Sequence, residues 1–107
     1  MKRYGSIINL NPDKVAEYKK LHEKVPEAIE KLIYDCNIRN YSIYFKDNML
    51  FSYFEYVGSD YEADMKKMEQ NEDNKKWWEL CKPCQLPLES RRPGEWWAEM
   101  DEVWHQD

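Results

Sequence analysis

The sequence predicts an α+β domain of the ferredoxin-like type, with one sheet, helices on one of its faces, and the element order β-α-β-β-α-β. Three observations lead to this prediction. Segments 3–10, 38–46 and 49–57 are rich in residues that favour strands, apolar residues recur at helical spacing after the first and third of them, and a two-residue turn separates the second from the third. The 107 residues have room for one modest core, so we expect residues 1–107 to form a single domain.

Local signals mark the first strand and the helical region after it. Residues 3–10 alternate loosely between apolar and polar side chains, as a strand does. In Asn11-Pro12-Asp13, the asparagine can accept hydrogen bonds from free amides, the proline lacks an N–H where none is needed, and the aspartate suits the positive end of a helix. Pro26 interrupts the helix, so we expect a kink or break near Lys24. One helical face is formed by side chains at alternating spacings of four and three, namely Tyr18, His22, Val25, Ile29, Leu32 and Cys36.

The middle of the chain predicts a hairpin. Asp47-Asn48 is a tight turn between strands 38–46 and 49–57. The second of these strands has aromatic side chains on both faces, with Phe51 and Tyr53 on one and Phe54 and Tyr56 on the other. A strand that is apolar on both faces should be covered on both.

The second half predicts an interrupted helical region and a last strand. Ser59-Asp60 begins the helical region, which pauses near Asn71 and ends before Pro83. Residues 86–95 form a loop, and the alternating tail, residues 97–105, supplies the last strand. Helices on one face of a sheet leave the other face without cover, and a homodimer built on that face is the economical solution.

Composition excludes several classes of function. The net charge is −5 and the basic residues form no stripe, so we expect no binding to nucleic acid. No apolar run approaches the length of a membrane span, and the start of the chain shows no cleavage pattern of a signal peptide. Three cysteines, an odd number, argue against a secreted disulfide scaffold and favour a cytoplasmic location.

Short motifs lie in a recognisable order along nearly the whole chain. Towards the N-terminus these are Asn11-Pro12-Asp13, Tyr18 with His22, Pro26-Glu27, and Asn40-Tyr41-Ser42-Ile43-Tyr44. Towards the C-terminus they are Trp77-Trp78, then Pro93-Gly94-Glu95-Trp96-Trp97 with Met100, Glu102-Val103 and His105. No single motif is diagnostic, but together they are fairly specific, and the chain resembles the L-rhamnose mutarotases.

This resemblance implies a dimeric ferredoxin-like fold of the dimeric α/β barrel type. It implies an isomerase that interconverts the α and β anomers of a 6-deoxy-L-hexose, with L-rhamnose as first choice, without a metal or other cofactor. It also implies that His22 is the proton donor, and that the sugar contacts are Tyr18, Tyr41, Trp77 and Trp78. Residues 81–92 match the family less well, which leaves the choice between rhamnose and fucose open.

The residue types suit this chemistry. When a pyranose ring opens, the ring oxygen gains a proton and the anomeric hydroxyl loses one, and histidine exchanges protons near neutral pH. Tyr18 and His22 are four residues apart and therefore lie on the same helix face. The competing interpretation is that His22, which shares its stripe with Val25 and Ile29, is a core residue.

Two further pairs of residues each allow two interpretations. Trp77 and Trp78 point about 100° apart on a helix, so both line one pocket only if the pocket wraps the helix, and otherwise one belongs to the core. Cys81 and Cys84 have the spacing of a redox motif, but they follow a helical stretch and lack further zinc ligands at a recognised spacing. We therefore expect ordinary thiols. Trp96 and Trp97 could cover the pocket or fill a dimer interface.

Two other functions remain open from the sequence. One is an oxygenase or haem-degrading protein built as a dimeric α+β barrel, which shares the element order and would bind haem or flavin. The other is a sugar-binding or sensing dimer, which would bind sugar without exchanging its anomers.

Overall fold

The computed structural model describes residues 1–107 and contains one five-stranded antiparallel sheet with four helices. The elements are β1 (Lys2–Leu10), α1 (Val15–Leu21), α2 (Glu27–Asp35), β2 (Ile38–Lys46), β3 (Met49–Tyr56), α3 (Tyr61–Gln70), α4 (Glu72–Cys81), β4 (Gln85–Leu86) and β5 (Ala98–Met100). Short 3₁₀ turns at Pro12–Lys14 and Lys82–Cys84 precede α1 and follow α4. This confirms the ferredoxin-like prediction, with each crossover between strands built from two helices. No helix is both long and apolar enough to span a bilayer.

The strand order is β2-β3-β1-β4, and β5 pairs with the same edge of β1 as β4 does. The two short strands follow one another along that edge, because β4 pairs with Asn9 and Leu10 while β5 pairs with residues 5–7. The prediction of a last strand over 97–105 is therefore wrong in extent, and the predicted loop begins one residue too early. The alternation that suggested a longer strand comes from residues such as Val103 and Trp104, which are 95% and 75% exposed and which nothing in the chain covers.

The predicted break at Pro26 is present and determines where α1 ends. The Asn11 side chain accepts a hydrogen bond from the amide of Asp13 at 3.0 Å and so begins the helical region. Helix α1 ends at Leu21, with His22 as its capping residue, and α2 starts directly after Pro26. His22 therefore lies at the end of a short helix rather than in the middle of a long one.

The predicted pause near Asn71 is also present. The Asn71 side chain accepts a hydrogen bond from the amide of Asn74 at 3.0 Å and so caps α4. Asn74 is buried, and its amide donates to the Met68 carbonyl of α3 at 2.9 Å. These bonds fix the angle between α3 and α4, which positions Trp77 and Trp78.

The core lies between the helices and one face of the sheet. Buried residues from β1, β3, α1 and the end of α4 form one cluster, namely Ile8, Leu10, Leu50, Tyr18, Cys81 and Cys84. Both cysteines are free and buried, and their interpretation as ordinary thiols stays a prediction. Burial raises the pKa of Cys81 to about 12 and that of Cys84 to about 11, so neither is a reactive thiolate.

A β-bulge turns Tyr41 towards the helices. Strand β2 carries one residue more than β3 between two paired positions, Arg39 with Glu55 and Ser42 with Tyr53. Asn40 occupies the bulge with φ 51°, in the left-handed region that asparagine tolerates, and its amide donates to Glu55 at 2.7 Å. The extra residue shifts the alternation of side chains by one, so Tyr41 faces inwards with its ring 5.4 Å from that of Phe54.

The opposite face of the sheet, which we call the outer face, is covered by no element of the chain. Cross-strand pairing places several of its apolar residues together, among them Ile7, Tyr44, Phe51, Tyr53 and Met100. Tyr44 is 66% exposed and Met100 39%, and the others are half-buried. The sequence predicts that β3 is covered on both faces. Within this chain its inner face is covered by the helices, and its outer face is not covered.

The bulge gives a test of how the fold positions Tyr41. We expect Asn40→Val to lower the free energy of unfolding by about 1–3 kcal/mol, because a β-branched residue resists a positive φ. Asn40→Gly should stay within about 1 kcal/mol of the wild type, since glycine adopts this conformation and only the bond to Glu55 is lost. Urea denaturation measures both variants. Equal midpoints for the valine and glycine variants would contradict the role given to the bulge.

Candidate active site

A cavity of about 970 Å³ lies between the sheet and the helices and is open to solvent on one side. Its volume is in the range of small-molecule sites, and most of the residues that line it are hydrophobic. The structure brings all the site residues expected from the sequence to this one cavity, namely Tyr18, His22, Tyr41, Trp77 and Trp78.

The orientation of the His22 ring is fixed by a hydrogen bond to the backbone of its own helix. Nδ1 lies 2.9 Å from the carbonyl oxygen of Tyr18. Because a carbonyl can only accept, Nδ1 carries the hydrogen in this bond. Nε2 has no partner in the chain, and no fully buried side-chain nitrogen or oxygen is left without one, so Nε2 is accessible. The nitrogen that is free to exchange a proton is therefore Nε2.

Two aromatic rings hold the imidazole in place. The Tyr18 ring lies 4.3 Å from it at a 30° tilt, and the Trp77 ring meets it edge-on at 5.2 Å. Tyr18 and His22 thus share one helix face, as their spacing predicts. His22 is half-buried, so it is neither a fully enclosed core residue nor a freely solvated one.

Tyr18 places a protonated hydroxyl beside His22. The residue is 4% exposed, and its hydroxyl oxygen accepts a hydrogen bond from Nε2 of Gln85 at 3.2 Å. Burial raises the pKa of Tyr18 well above its ordinary range, although the bond from Gln85 acts in the opposite direction. The phenol therefore stays neutral at physiological pH.

Tyr41 contributes a second neutral hydroxyl from the sheet. Burial, followed by the nearby Cys81, raises the pKa of Tyr41 to about 12, and no hydrogen bond contributes to the shift. The residue is 39% exposed, so solvent reaches part of its side chain. An unpartnered hydroxyl in an apolar cavity is available to a polar ligand.

The two tryptophans of α4 both line the cavity, in different ways. Trp77 packs against the core cluster and against His22, so it belongs to the core and to the cavity at once. Trp78 is half-buried, and the ammonium group of Lys82 lies 4.6 Å from the centre of its ring. The cavity wraps this side of the helix, which is the condition that two adjacent tryptophans require.

The sequence did not single out Gln85, and it left the place of Trp96 open. Gln85 is buried in β4, and its amide oxygen accepts a hydrogen bond from the indole N–H of Trp96 at 2.7 Å. Trp96 reaches the cavity from the loop between β4 and β5, in which Gly94 has φ 86°. Gln85 lies in a two-residue strand without a pattern of its own, so no local signal reveals it.

The chemistry available in the cavity is proton exchange at an imidazole, hydrogen bonding by two neutral phenols, and packing on indole faces. No three or more His, Cys, Asp or Glu side chains lie together in a way that could hold a metal ion. Metal independence itself stays a prediction.

Comparison with known proteins identifies relatives over the whole chain. The family model described as L-rhamnose mutarotase matches residues 3–106. An L-rhamnose mutarotase from Oceanobacillus iheyensis is 34% identical over 108 residues, which cover 100% of both chains.

Solved structures agree on the fold. The crystal structure of an L-rhamnose mutarotase from Formosa agariphila superposes with a TM-score of 0.77 at 22% identity, with 100% of both chains covered. The tetracenomycin F2 cyclase of Streptomyces glaucescens, a type-II polyketide cyclase, gives a TM-score of 0.71 at 10% identity, again over 100% of both chains. At these identities the two likenesses establish the fold alone.

The two histidines of the chain give a test of the geometry around His22. When both are neutral, we expect His22 to carry its hydrogen on Nδ1, which faces the Tyr18 carbonyl, and His105 to carry its hydrogen on Nε2, which lies 2.8 Å from an oxygen of Asp107. Nitrogen-15 NMR distinguishes the two tautomers, and His105 serves as the internal control. A neutral His22 with its hydrogen on Nε2 would contradict the arrangement described here.

Proposed function

The chain belongs to the L-rhamnose mutarotase family, and we propose that His22 and the residues around it carry the family's reaction, the interconversion of the α and β anomers of L-rhamnose. The observation that supports this proposal is the imidazole, whose Nδ1 is occupied by the Tyr18 carbonyl while its Nε2 is accessible in the cavity. Ring opening requires a proton donor for the ring oxygen, and an accessible imidazole nitrogen can serve as one.

The reaction needs two proton movements and no change in oxidation state. As the bond between C1 and the ring oxygen breaks, protonated Nε2 of His22 gives its proton to the ring oxygen. The C1 hydroxyl loses its proton to solvent, to which the cavity is open, and becomes the aldehyde oxygen. The aldehyde then rotates and the ring closes on its other face, with the proton of the former ring oxygen returning to Nε2 and a solvent proton restoring the C1 hydroxyl.

The walls of the cavity suit a 6-deoxy sugar. The methyl group and the apolar C–H faces of the sugar match the indoles of Trp77 and Trp78. The hydroxyls of Tyr18 and Tyr41 are placed to hydrogen-bond sugar oxygens, because both phenols stay neutral in this environment. We assign these four residues to substrate binding and His22 to catalysis.

We further propose that the protein is a homodimer whose subunits meet at the outer face of the sheet. That face groups the apolar side chains of Ile7, Tyr44, Phe51, Tyr53 and Met100, and the exposed tail adds Val103 and Trp104. Two such faces can supply the roughly 1,200–2,000 Å² that a stable interface buries. Each subunit then keeps its own cavity on the helix side, and the dimer stiffens the sheet behind Tyr41.

We also place the protein in the reducing cytoplasm. Its three cysteines are free and buried, which is the state that a reducing compartment maintains.

The catalytic assignment is tested by anomer exchange. Saturation-transfer NMR on L-rhamnose should detect exchange by the wild type, and the exchange should persist in a chelator because no residue cluster in the chain suits a metal. We expect His22→Ala to slow exchange by about a hundred- to ten-thousand-fold, the usual contribution of a positioned acid–base group. His105→Ala, which removes the histidine outside the cavity, is the matched control and should leave the rate unchanged. Sugar binding by the wild type without exchange would instead favour a sugar-binding protein.

The proposed interface is tested by a charge on the outer face. Light scattering at micromolar concentration should give the mass of a dimer for the wild type. We expect Tyr44→Glu, at a 66% exposed residue of this face, to give a monomer, because each interface would bury an unpaired carboxylate. Leu80→Glu places the same charge on a 53% exposed residue of α4 and should leave the dimer intact. A monomeric wild type would refute the interface, and a fully active Tyr44→Glu monomer would show that assembly does not support catalysis.

A further inference from the structure

A chain of two hydrogen bonds connects the loop above the cavity with Tyr18. The indole N–H of Trp96 donates to the amide oxygen of Gln85 at 2.7 Å, and the amide nitrogen of Gln85 donates to the Tyr18 hydroxyl at 3.2 Å. Gln85 is 7% exposed, so its amide is shielded from competing water. The reaction proposed above assigns no role to Gln85.

The chemistry of the three groups determines the direction of both bonds. An indole N–H can only donate, so it must face the oxygen of the Gln85 amide and not its NH₂ group. The NH₂ group, which can only donate, is then the part of the amide that faces Tyr18. The Tyr18 oxygen therefore accepts, and the hydrogen of its own hydroxyl cannot point towards Gln85.

The hydroxyl hydrogen of Tyr18 has no acceptor within the chain. The bond from Gln85 is the only side-chain hydrogen bond that this hydroxyl makes. Tyr18 lines the cavity and its phenol stays neutral. The hydrogen is thus available to a ligand in the cavity.

We propose that Gln85 and Trp96 are positioning residues that make the Tyr18 hydroxyl a hydrogen-bond donor to the C1 oxygen of the sugar. This inference rests on the proposed function. The C1 oxygen becomes the aldehyde oxygen when the ring opens, and an aldehyde oxygen can only accept hydrogen bonds. A donor fixed before the reaction stabilises the negative charge that develops on that oxygen as its proton leaves.

The experiment reverses the hydrogen bond without changing the shape of the side chain. In Gln85→Glu, a carboxylate still accepts from Trp96 but also accepts from Tyr18, so the hydroxyl hydrogen turns away from the sugar. We expect exchange at least about tenfold slower than in the wild type above about pH 7, where the carboxyl is ionised. At lower pH the protonated carboxyl can donate to Tyr18, and the rate relative to the wild type at the same pH should recover.

The other titratable groups around this site do not imitate that recovery. Tyr41, Cys81 and Cys84 all have raised pKa values and stay neutral throughout the range, and the ammonium group of Lys82 lies 5.2 Å from the centre of the Trp96 ring. Each rate is compared with that of the wild type at the same pH, so a pH dependence that the two proteins share cancels in the ratio.

A second variant tests the relay without a buried charge. Trp96→Phe keeps an aromatic ring but removes the N–H, so the Gln85 amide can flip and the Tyr18 hydroxyl loses its preferred direction. We expect a turnover several-fold slower, at a KM changed much less. In a Tyr18→Phe background neither Trp96→Phe nor Gln85→Glu should slow exchange further, because the group that they position is absent.

The outcomes separate the relay from the proposed function. A Gln85→Glu protein as fast as the wild type across the pH range overturns the relay alone. A loss that does not recover at low pH, or that persists in the Tyr18→Phe background, also overturns it, since it would indicate a merely structural role. A wild type without any anomer exchange overturns the proposed function, and the relay with it.

Discussion

The arrangement of the cavity depends on the pairing of β1 with three other strands. β3 pairs with β1 from Lys2 to Asn9 on one edge, while β4 and β5 share the other. Through these ladders β1 fixes Gln85 and the residues that follow the Trp96 loop, and its inward side chains support Tyr18. Backbone ladders are cooperative and hard to deform, so groups from distant parts of the chain meet with a defined geometry without each needing its own rigid support.

The parts of the fold that the sequence predicts well are those with local causes. Pro26 cannot donate a hydrogen bond wherever it lies, and Asp47 and Asn48 adopt positive φ values of 52° and 58° within their own turn. The bulge at Asn40 depends instead on the register between two strands, and β4 exists only because Leu10 offers it an unpaired edge. In the C-terminal tail the sequence predicts a longer strand than the structure contains, because alternating side chains form a strand only where a partner strand is available.

The candidate site likewise has features that the sequence predicts from local causes and features that depend on distant partners. The resemblance of the motifs names five residues that the structure brings to one cavity, although their roles stay proposals. The spacing of Tyr18 and His22 gives their common face, but not the hydrogen bond that leaves Nε2 of His22 accessible. Gln85 escapes prediction altogether, because its significance comes from two partners that are 67 and 11 residues away along the chain. A residue whose important contacts are distant along the chain produces no pattern in the sequence around it.

The bulge at Asn40 also limits how β2 can change during evolution. Side chains of a strand alternate with a period of two, and the extra residue in the bulge shifts this alternation by one. Ile38 faces inwards before the bulge, and Tyr41 and Ile43 face inwards after it. Loss of the bulge without loss of a residue would exchange the two walls of the strand beyond it, sending Tyr41 and Ile43 to the outer face and Tyr44 into the cavity, whereas deletion of Asn40 would restore regular pairing and keep both walls. Substitutions along β2 alter one contact at a time, whereas a change of length by one residue in the regularly paired part of the strand would alter both surfaces at once.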